Sequence, residues 1–583
     1  MKKSFHVFLI FLMTSSVLLV FLLGSFAYGA PAKAVSAKAK APNVKEPQYG
    51  GTITFSRALN PIAWDISEWT WKHGNDTGFY MEHLLMGDLQ KGPRGSNEFS
   101  FHNAAWIPPA VTRGELLESW EVKKNPLQLI LHLRKGVMWQ EKPGVMKARE
   151  LVADDVVYSI TRIKNSRKAI PLYMDFVGKM ETPDKYTVVV NMTEWCADWP
   201  YRMGWGYYDA IQAPEQEKAP GGPNKWENAC GTGPFMLTEY KDGHSQTYTK
   251  NPNYWDSDII NGKKYKLPFA DKIFIPIIKD DQTRNASFRS GKLDLLMALS
   301  WKYVDELKKS LPQLKWGRSL GNGNFTMAMR MDQKPFNDIR VRRAMNLAIN
   351  KKEIINSFYG GNAEMHTYPF PPSFKEVYTP LDKLPPSARE LYTYNPAKAK
   401  KLLAEAGYPN GFSFKAQIPN NDQTGLDLGA LVVAYLAKIG VKLELEPMDY
   451  GLWITRMLKK NHSEGIFFAN DHGGPYSGIR KNFMTGQTWN PHMMSDPYMD
   501  KAWSDAVENP KLNEKQSMEM MKKLAVYALD QAPCILLPTA YFYSAWWPWV
   551  QNFYGEFNVG AQRSAPIYAR VWIDQEMKKK MGF

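Results

Sequence analysis

Alternation marks the first predicted strands of this chain. In "LQLILHLR", Leu127, Leu129, Leu131 and Leu133 occupy every second position and share one face, and a second strand, "YTVVVNM", follows at 186–192. Between them the period changes. In "ADDVVYSITRI" the apolar residues at 156, 157, 160 and 163 share one face of a helix, with Asp154 as its predicted N-cap. A second helix is predicted to start at the cap Asp338 in "NDIRVRRAMNLAINKKEIINSFYGG", to bury Val341, Met345, Ala348 and Ile349, and to run on to Gly360. In "NPAKAKKLLAEAG", Asn395 caps, Pro396 fits the first turn and Gly407 ends the helix. The stretch "LDLGALVVAYLAKIG" then passes into the alternating "VKLELEPM", giving helix, glycine stop and strand. Helices and strands are interleaved without a repeat of fixed period, which predicts an α/β architecture.

One apolar run lies at the other end of the chain. Lys2 and Lys3 precede "FHVFLIFLMTSSVLLVFLLG", and small residues follow in "SFAYGAPAKA", the order of a secretory signal. Cleavage is expected near Gly29 or Ala30, with an uncleaved anchor over Phe5 to Leu23 as the alternative. No cysteine lies near that point, so no lipobox supports a lipid anchor. No later segment has the roughly 18 uninterrupted apolar residues of a membrane span. The mature protein is therefore expected to be periplasmic or secreted.

At 583 residues the chain has room for several domains or lobes, and its 44% hydrophobic and 22% charged composition is that of a folded protein. Its 20 Trp, 29 Tyr and 28 Phe exceed what a core usually demands, and flat rings suit ligand clefts. The net charge is +15, with its densest stretch in the Ala/Lys/Pro leader "APAKAVSAKAKAPNVKEPQ". No long basic block follows, so nucleic acid is not an expected partner. The three cysteines have no CxxC spacing; either Cys196 and Cys230 form a disulfide in an oxidising compartment, or all three are buried thiols.

Candidate chemistry is sparse. "GIFFANDHGGP" at 465–475 reads as a buried strand that stops at a carboxylate, Asp471, before a glycine pair. Either Asp471 caps a turn with its own side chain, or the strand holds an acid at a cavity wall to meet a cation. The glycines of "GTGPF" read as a sharp turn with close backbone approach, since no Lys-Ser/Thr follows as in a phosphate loop. Neither HExxH nor GxSxG occurs, and His462, His472 and His492 lack the helical spacing of metal ligands. No catalytic residue, metal or cofactor is expected.

Eight segments carry a resemblance: "LLESWEV", "LHLRKGVMW", "VADDVVYSITRI", "GTGPFMLTEY", "NPNYW", "PFNDIRVRRAMNLAINKKEI", "YNPAKAKKLLAEAGYPNGF" and "LAKIGVKLELEPMD". Their order resembles the family 5 extracellular solute-binding proteins of ABC transporters, of the dipeptide, oligopeptide and nickel-binding type, across essentially the whole mature chain. The resemblance implies a two-lobed periplasmic-binding-protein fold (type II, cluster C) with an extra third domain inserted in the first lobe. Its expected boundaries are a signal peptide at 1–29, a leader at 30–47, lobe 1 at 48–79, 200–318 and 533–583, the extra domain at 80–199, and lobe 2 at 319–532.

In peptide-binding members an aspartate of the later lobe receives the ligand's α-ammonium group, in a segment resembling GW..D..DP. Here Asp471 stands at that place, Phe468 where the Trp would be and Gly474 where a second Asp is frequent. The lost Trp and Asp put dipeptide specificity in doubt. Asn470 and His472, beside Asp471, join the expected contacts. Trp64, Trp69 and Trp71, after the first strand, either stack on ligand or pack between the lobes. Trp489 is a weaker candidate, and Arg480 either pairs with a ligand carboxylate or lies exposed.

The expected function is the substrate-binding component of an ABC importer. As a monomer it would close by a hinge on a peptide or other amine-bearing solute and deliver it to the membrane permease. An oligosaccharide, opine or metal chelate is the alternative ligand. A secreted hydrolase and a ligand-sensing subunit are the rivals from other classes.

Overall fold

The leucine alternation is realised as the strand Leu127–Leu133, whose Leu129, Leu131 and Leu133 are buried. It pairs with Leu117–Lys124 on one side and Thr187–Met192 on the other, and Val177–Asp184 completes a four-stranded antiparallel sheet. The helix Ala153–Lys164 packs on this sheet through Val156, Ile160 and Ile163. Its cap differs from the predicted one. Asp154 lies in the first turn and bonds Thr182, while Asp155 reaches back to accept the Val152 N–H at 3.0 Å. The computed structural model describes residues 45–583 except 71–72, 103–105, 171–172, 322 and 471–472. The signal sequence and most of the leader fall outside the described residues. Among the described residues, no helix is long and apolar enough to cross a membrane.

Two further sheets join strands distant in the chain. Thr52–Thr54 runs parallel to Lys272–Pro276, beside Ser245–Lys250 and Phe235–Lys241. In the other, Thr539–Trp546 lies between Leu295–Leu299 and Lys315–Leu320. Asp294 ties distant parts of the chain together: it accepts from Thr54 N, Trp549 Nε1 and Lys578 Nζ, each at 2.8 Å. The glycines of "GTGPF" act through the backbone, since a Cβ on Gly231 would fall 1.8 Å from the Tyr80 carbonyl oxygen.

A five-stranded mixed sheet is ordered Lys442–Met448, Ser413–Pro419, Gly465–Asn470, Asn324–Met329 and Cys534–Leu536. Ser413–Pro419 and Lys442–Met448 are parallel and joined by the helix Gln423–Ala437, so the predicted α/β unit is present. Asn395 caps Pro396–Glu405 through the Lys398 N–H at 3.0 Å, as predicted. The helix capped by Asp338 is shorter than predicted. It ends at Leu347, Asn350 caps a new turn at Lys351–Glu353, and a wider π-helical turn spans Ile354–Phe358. Gly321 N–H bonds the Ala540 carbonyl at 3.1 Å.

Cys196, Cys230 and Cys534 are free and buried, so of the two alternatives the structure has three thiols and no Cys196–Cys230 bridge. Cys230 Sγ instead lies 3.6 Å from Met146 Sδ. Deep in the first lobe, Arg563 donates to both oxygens of Glu115, at 2.6 and 2.7 Å, with both side chains fully buried. Burial and the Glu115 charge push the neighbouring Glu82 carboxyl up to about 8.

Candidate functional site

The strand Gly465–Asn470 is apolar because both of its faces are covered. Phe467 belongs to the core beneath Ile339–Leu347 and Gln423–Ala437, whereas Ile466 and Phe468 pack with Trp453 and Met457 on the opposite face. Asn470 closes the strand with its backbone opposite Asn324. Asp471 and His472 lie outside the described residues. The chain resumes at Gly473 and Gly474 and enters the helix Pro475–Phe483, every residue of which except Lys481 is buried.

The glycine pair is pressed against aromatic side chains from a distant part of the chain. A Cβ on Gly473 would fall 2.1 Å from the Tyr201 hydroxyl, and one on Gly474 would fall 3.1 Å from the Trp106 ring. A side chain at position 474, such as the aspartate frequent there in the family, would require the Trp106 ring to give by a few tenths of an ångström. Tyr201 belongs to a chain of rings. Its centroid is 6.0 Å from Tyr173 and 5.1 Å from Trp205; Tyr173 lies 5.2 Å from Trp69, and Trp106 lies 5.8 Å from both Trp205 and Phe374. These contacts, edge-on except for the stacked Trp106–Phe374 pair, form a continuous aromatic wall from Trp69 to Phe374.

Charged groups sit behind this wall. Asp198 accepts from Ser477 Oγ at 2.5 Å and from Arg202 Nε at 3.1 Å. Burial raises the Asp198 carboxyl above its ordinary value, against the opposing pull of Arg202, Ser477 and Arg480. Arg480 is buried, not exposed, and its Nη1 donates to Gln487 Oε1 at 2.8 Å. Burial and the Arg202 charge lower its guanidinium to about 10. Arg202 also stands 5.8 Å over the Trp503 ring.

The other expected contacts divide. Trp69 joins the wall and donates its Nε1–H to the Ile163 carbonyl at 3.1 Å. Trp64 instead packs edge-on to Tyr240 at 5.3 Å, away from the wall. Trp71 and the Asn470 side chain are not among the described features. Phe468 and Trp489 share the small core beneath the helix Tyr450–Leu458, where Phe468 also meets the His492 ring at 5.7 Å. His492 and His462 are structural ties: His492 bonds the Pro533 carbonyl and Tyr368 Oη, and His462 the Pro491 carbonyl. Sequence reasoning missed Trp106, Asp198, Tyr201, Arg202 and Ser477. A signal for some of them was present in "WPYRMGWGYYD", which places five aromatic residues between 199 and 208 around one proline and two glycines.

The model described as bacterial extracellular solute-binding proteins, family 5 Middle, matches residues 112–478. Heme-binding protein A of Haemophilus influenzae is 28% identical over 449 residues, covering 72% of this chain and 77% of its own. The dipeptide-binding protein of Escherichia coli is 26% identical over 455 residues, 72% of this chain and 80% of that one. Among solved structures, the periplasmic binding protein DppA of Helicobacter pylori in complex with the peptide STSA superimposes with a TM-score of 0.72 at 21% identity, over 90% of this chain and 99% of that chain.

Proposed function

This chain belongs to the bacterial extracellular solute-binding proteins of family 5, and from that premise we propose that it closes on a peptide or another small amine-bearing solute and hands it to the permease of an ABC importer. The observation that carries this reading is the meeting of the strand-end turn at Gly473 with Tyr201 across the two lobes. A ligand held there would touch both lobes at once, so its binding energy would favour the closed form, which is how a solute shifts a hinge equilibrium. Asp471, at the end of the same strand, is the proposed acceptor of the ligand's ammonium group. A carboxylate in a dry, ring-lined cleft is costly unless a cation pairs with it. Trp69 and the Tyr201 wall would stack on the solute.

In this reading 48–79, 200–318 and 537–583 form the first lobe, 80–199 the extra domain and 319–536 the second lobe, the last boundary falling after Cys534–Leu536 because that strand pairs with Asn324–Met329. The segment 1–29 is removed on export, the leader 30–47 follows, and the protein acts as a monomer that does no chemistry on its solute. The E. coli relative is a dipeptide-binding protein and the H. pylori structure holds a peptide, which favours a peptide over a sugar, opine or metal chelate.

The test is thermal unfolding of the mature protein against short peptides, oligosaccharides, opines and metal complexes, with and without Asp471→Ala. A ligand of the folded form at 100 times its dissociation constant adds about 2.7 kcal/mol. Peptides should shift wild type and fail to shift the variant. A shift by neutral sugars alone, or an equal shift in both proteins, would overturn the assignment.

A further inference from the structure

The helix Pro475–Phe483 begins without a side-chain cap of its own. Gly474 stands at the N-cap position and offers no acceptor to the N–H groups of the first turn. A carboxylate reaches this turn from elsewhere. Asp198 accepts from Ser477 Oγ at 2.5 Å, and its Oδ1 lies 4.0 Å from where a Cβ on Gly474 would stand. Position 474 is a glycine with the Trp106 ring 3.1 Å from where its Cβ would stand, so it supplies no acid itself. An anion at a helix N-terminus is favoured by the helix dipole.

The two partners belong to different bodies. Ser477 follows Gly465–Asn470 of the second-lobe sheet, whereas Asp198 follows Thr187–Met192 of the antiparallel sheet. The surrounding contacts run between the same two bodies: Tyr201 over Gly473, Trp106 over Gly474, and Ala197 N–H to the Val507 carbonyl at 3.2 Å. Arg202 holds Asp198 from one turn further along its own segment.

We propose that Asp198 holds the first turn of this helix, through the Ser477 hydroxyl, only when the lobes are closed, and so acts as a positioning residue for the Gly473–Gly474 turn and for Arg480 on the same helix. The proposal rests on the solute-binding reading above. In the open form Asp198 and Ser477 would each return to water, so their contact stabilises closure without touching the solute. Part of the affinity would then come from the protein closing on itself.

The experiment measures lobe separation and binding together. Spin labels on Lys241→Cys and Lys438→Cys, both exposed and one on each lobe, report the separation; the native thiols are buried. Asp198→Ala, Asp198→Asn, Ser477→Ala and the Asp198→Ala/Ser477→Ala double variant are compared with wild type, free and saturated with the dipeptide methionyl-leucine. A hydrogen bond to a charged group that exists only in the closed form predicts loss of short-distance population and about tenfold or greater weakening of dipeptide binding for either single alanine variant. The double variant should be no worse than the poorer single variant, and Asp198→Asn should recover part of the loss. The proposal is overturned by unchanged distances and affinities, by single effects that multiply in the double variant, or by a wild type with no short-distance population in either state. A wild type that closes but ignores methionyl-leucine would count against the peptide assignment alone, with the distances still deciding the cap.

Discussion

Gly473 lies against the Tyr201 hydroxyl so closely that a Cβ at this position would stand 2.1 Å from it. The glycine is thus favoured by a side chain distant in the sequence, not by a left-handed backbone at its own turn. At 474, where a second aspartate is frequent in the family, a Cβ would stand 3.1 Å from the Trp106 ring.

The first prediction concerns this pair. Gly473→Ala overpacks the closed form alone, at about 1–3 kcal/mol, which is a 5- to 150-fold rise, roughly, in the dissociation constant for methionyl-leucine. Calorimetric titration should show that rise while thermal unfolding of the free protein stays near wild type. Adding Tyr201→Ala should bring the affinity of Gly473→Ala back toward that of Tyr201→Ala alone.

Glu115 and Arg563 give the second. Arg563→Met leaves the Glu115 carboxylate buried beside Glu82 without its bidentate partner, and loss of one member of such a pair costs about 3–5 kcal/mol. Urea unfolding should show a loss of this size. Glu115→Gln combined with Arg563→Met should recover part of it, because no charge is then stranded.

Three histidines give the third. Burial holds His366 and His462 down to about 4 and His492 to about 3. Below the ordinary value of 6.5 the unfolded chain takes up these protons and the folded chain does not. Stability therefore falls as pH falls from about 6.5 toward 4, by about 1.4 kcal/mol per histidine per pH unit once the unfolded side chain is protonated. Glu82 works in the opposite sense. With a folded value of about 8 it contributes stability that is present at low pH and lost as pH rises between 4.5 and 8. The histidines outnumber it, so the melting temperature should drop between pH 6.5 and 5, and His492→Gln should flatten that drop.

The thiols give the fourth. Burial pushes Cys196, Cys230 and Cys534 up to about 12, so none is a ready thiolate. A thiol reagent should modify none of them in the native protein and all three in denaturant without reductant. Modification of only one after unfolding would reveal a bridge between the others.

The elements were legible where one period ran uninterrupted. Leu127–Leu133 and Pro396–Glu405 follow directly from spacing and caps, as does the unit spanning Ser413 to Met448. The break after Leu347 was hidden because Asn350 fits a helical pattern equally well as an interior residue and as the cap of a new turn, and only tertiary contacts choose. Arg480 could not be placed from its own helix, whose exposure is decided by Asp198 and Trp106 arriving from elsewhere. Likewise "WPYRMGWGYYD" announces a dense aromatic segment, but nothing local says that Tyr201 will lie on Gly473.

The central place of Thr539–Trp546 in its sheet bears on the order in which the protein can be made. Leu295–Leu299 and Lys315–Leu320 leave the ribosome long before the strand that must lie between them, and the entire second lobe is synthesised in the interval. Neither edge strand can bond the other directly, so this sheet has no partial assembly that resembles the finished one. This sheet can be completed only once its central strand has been made.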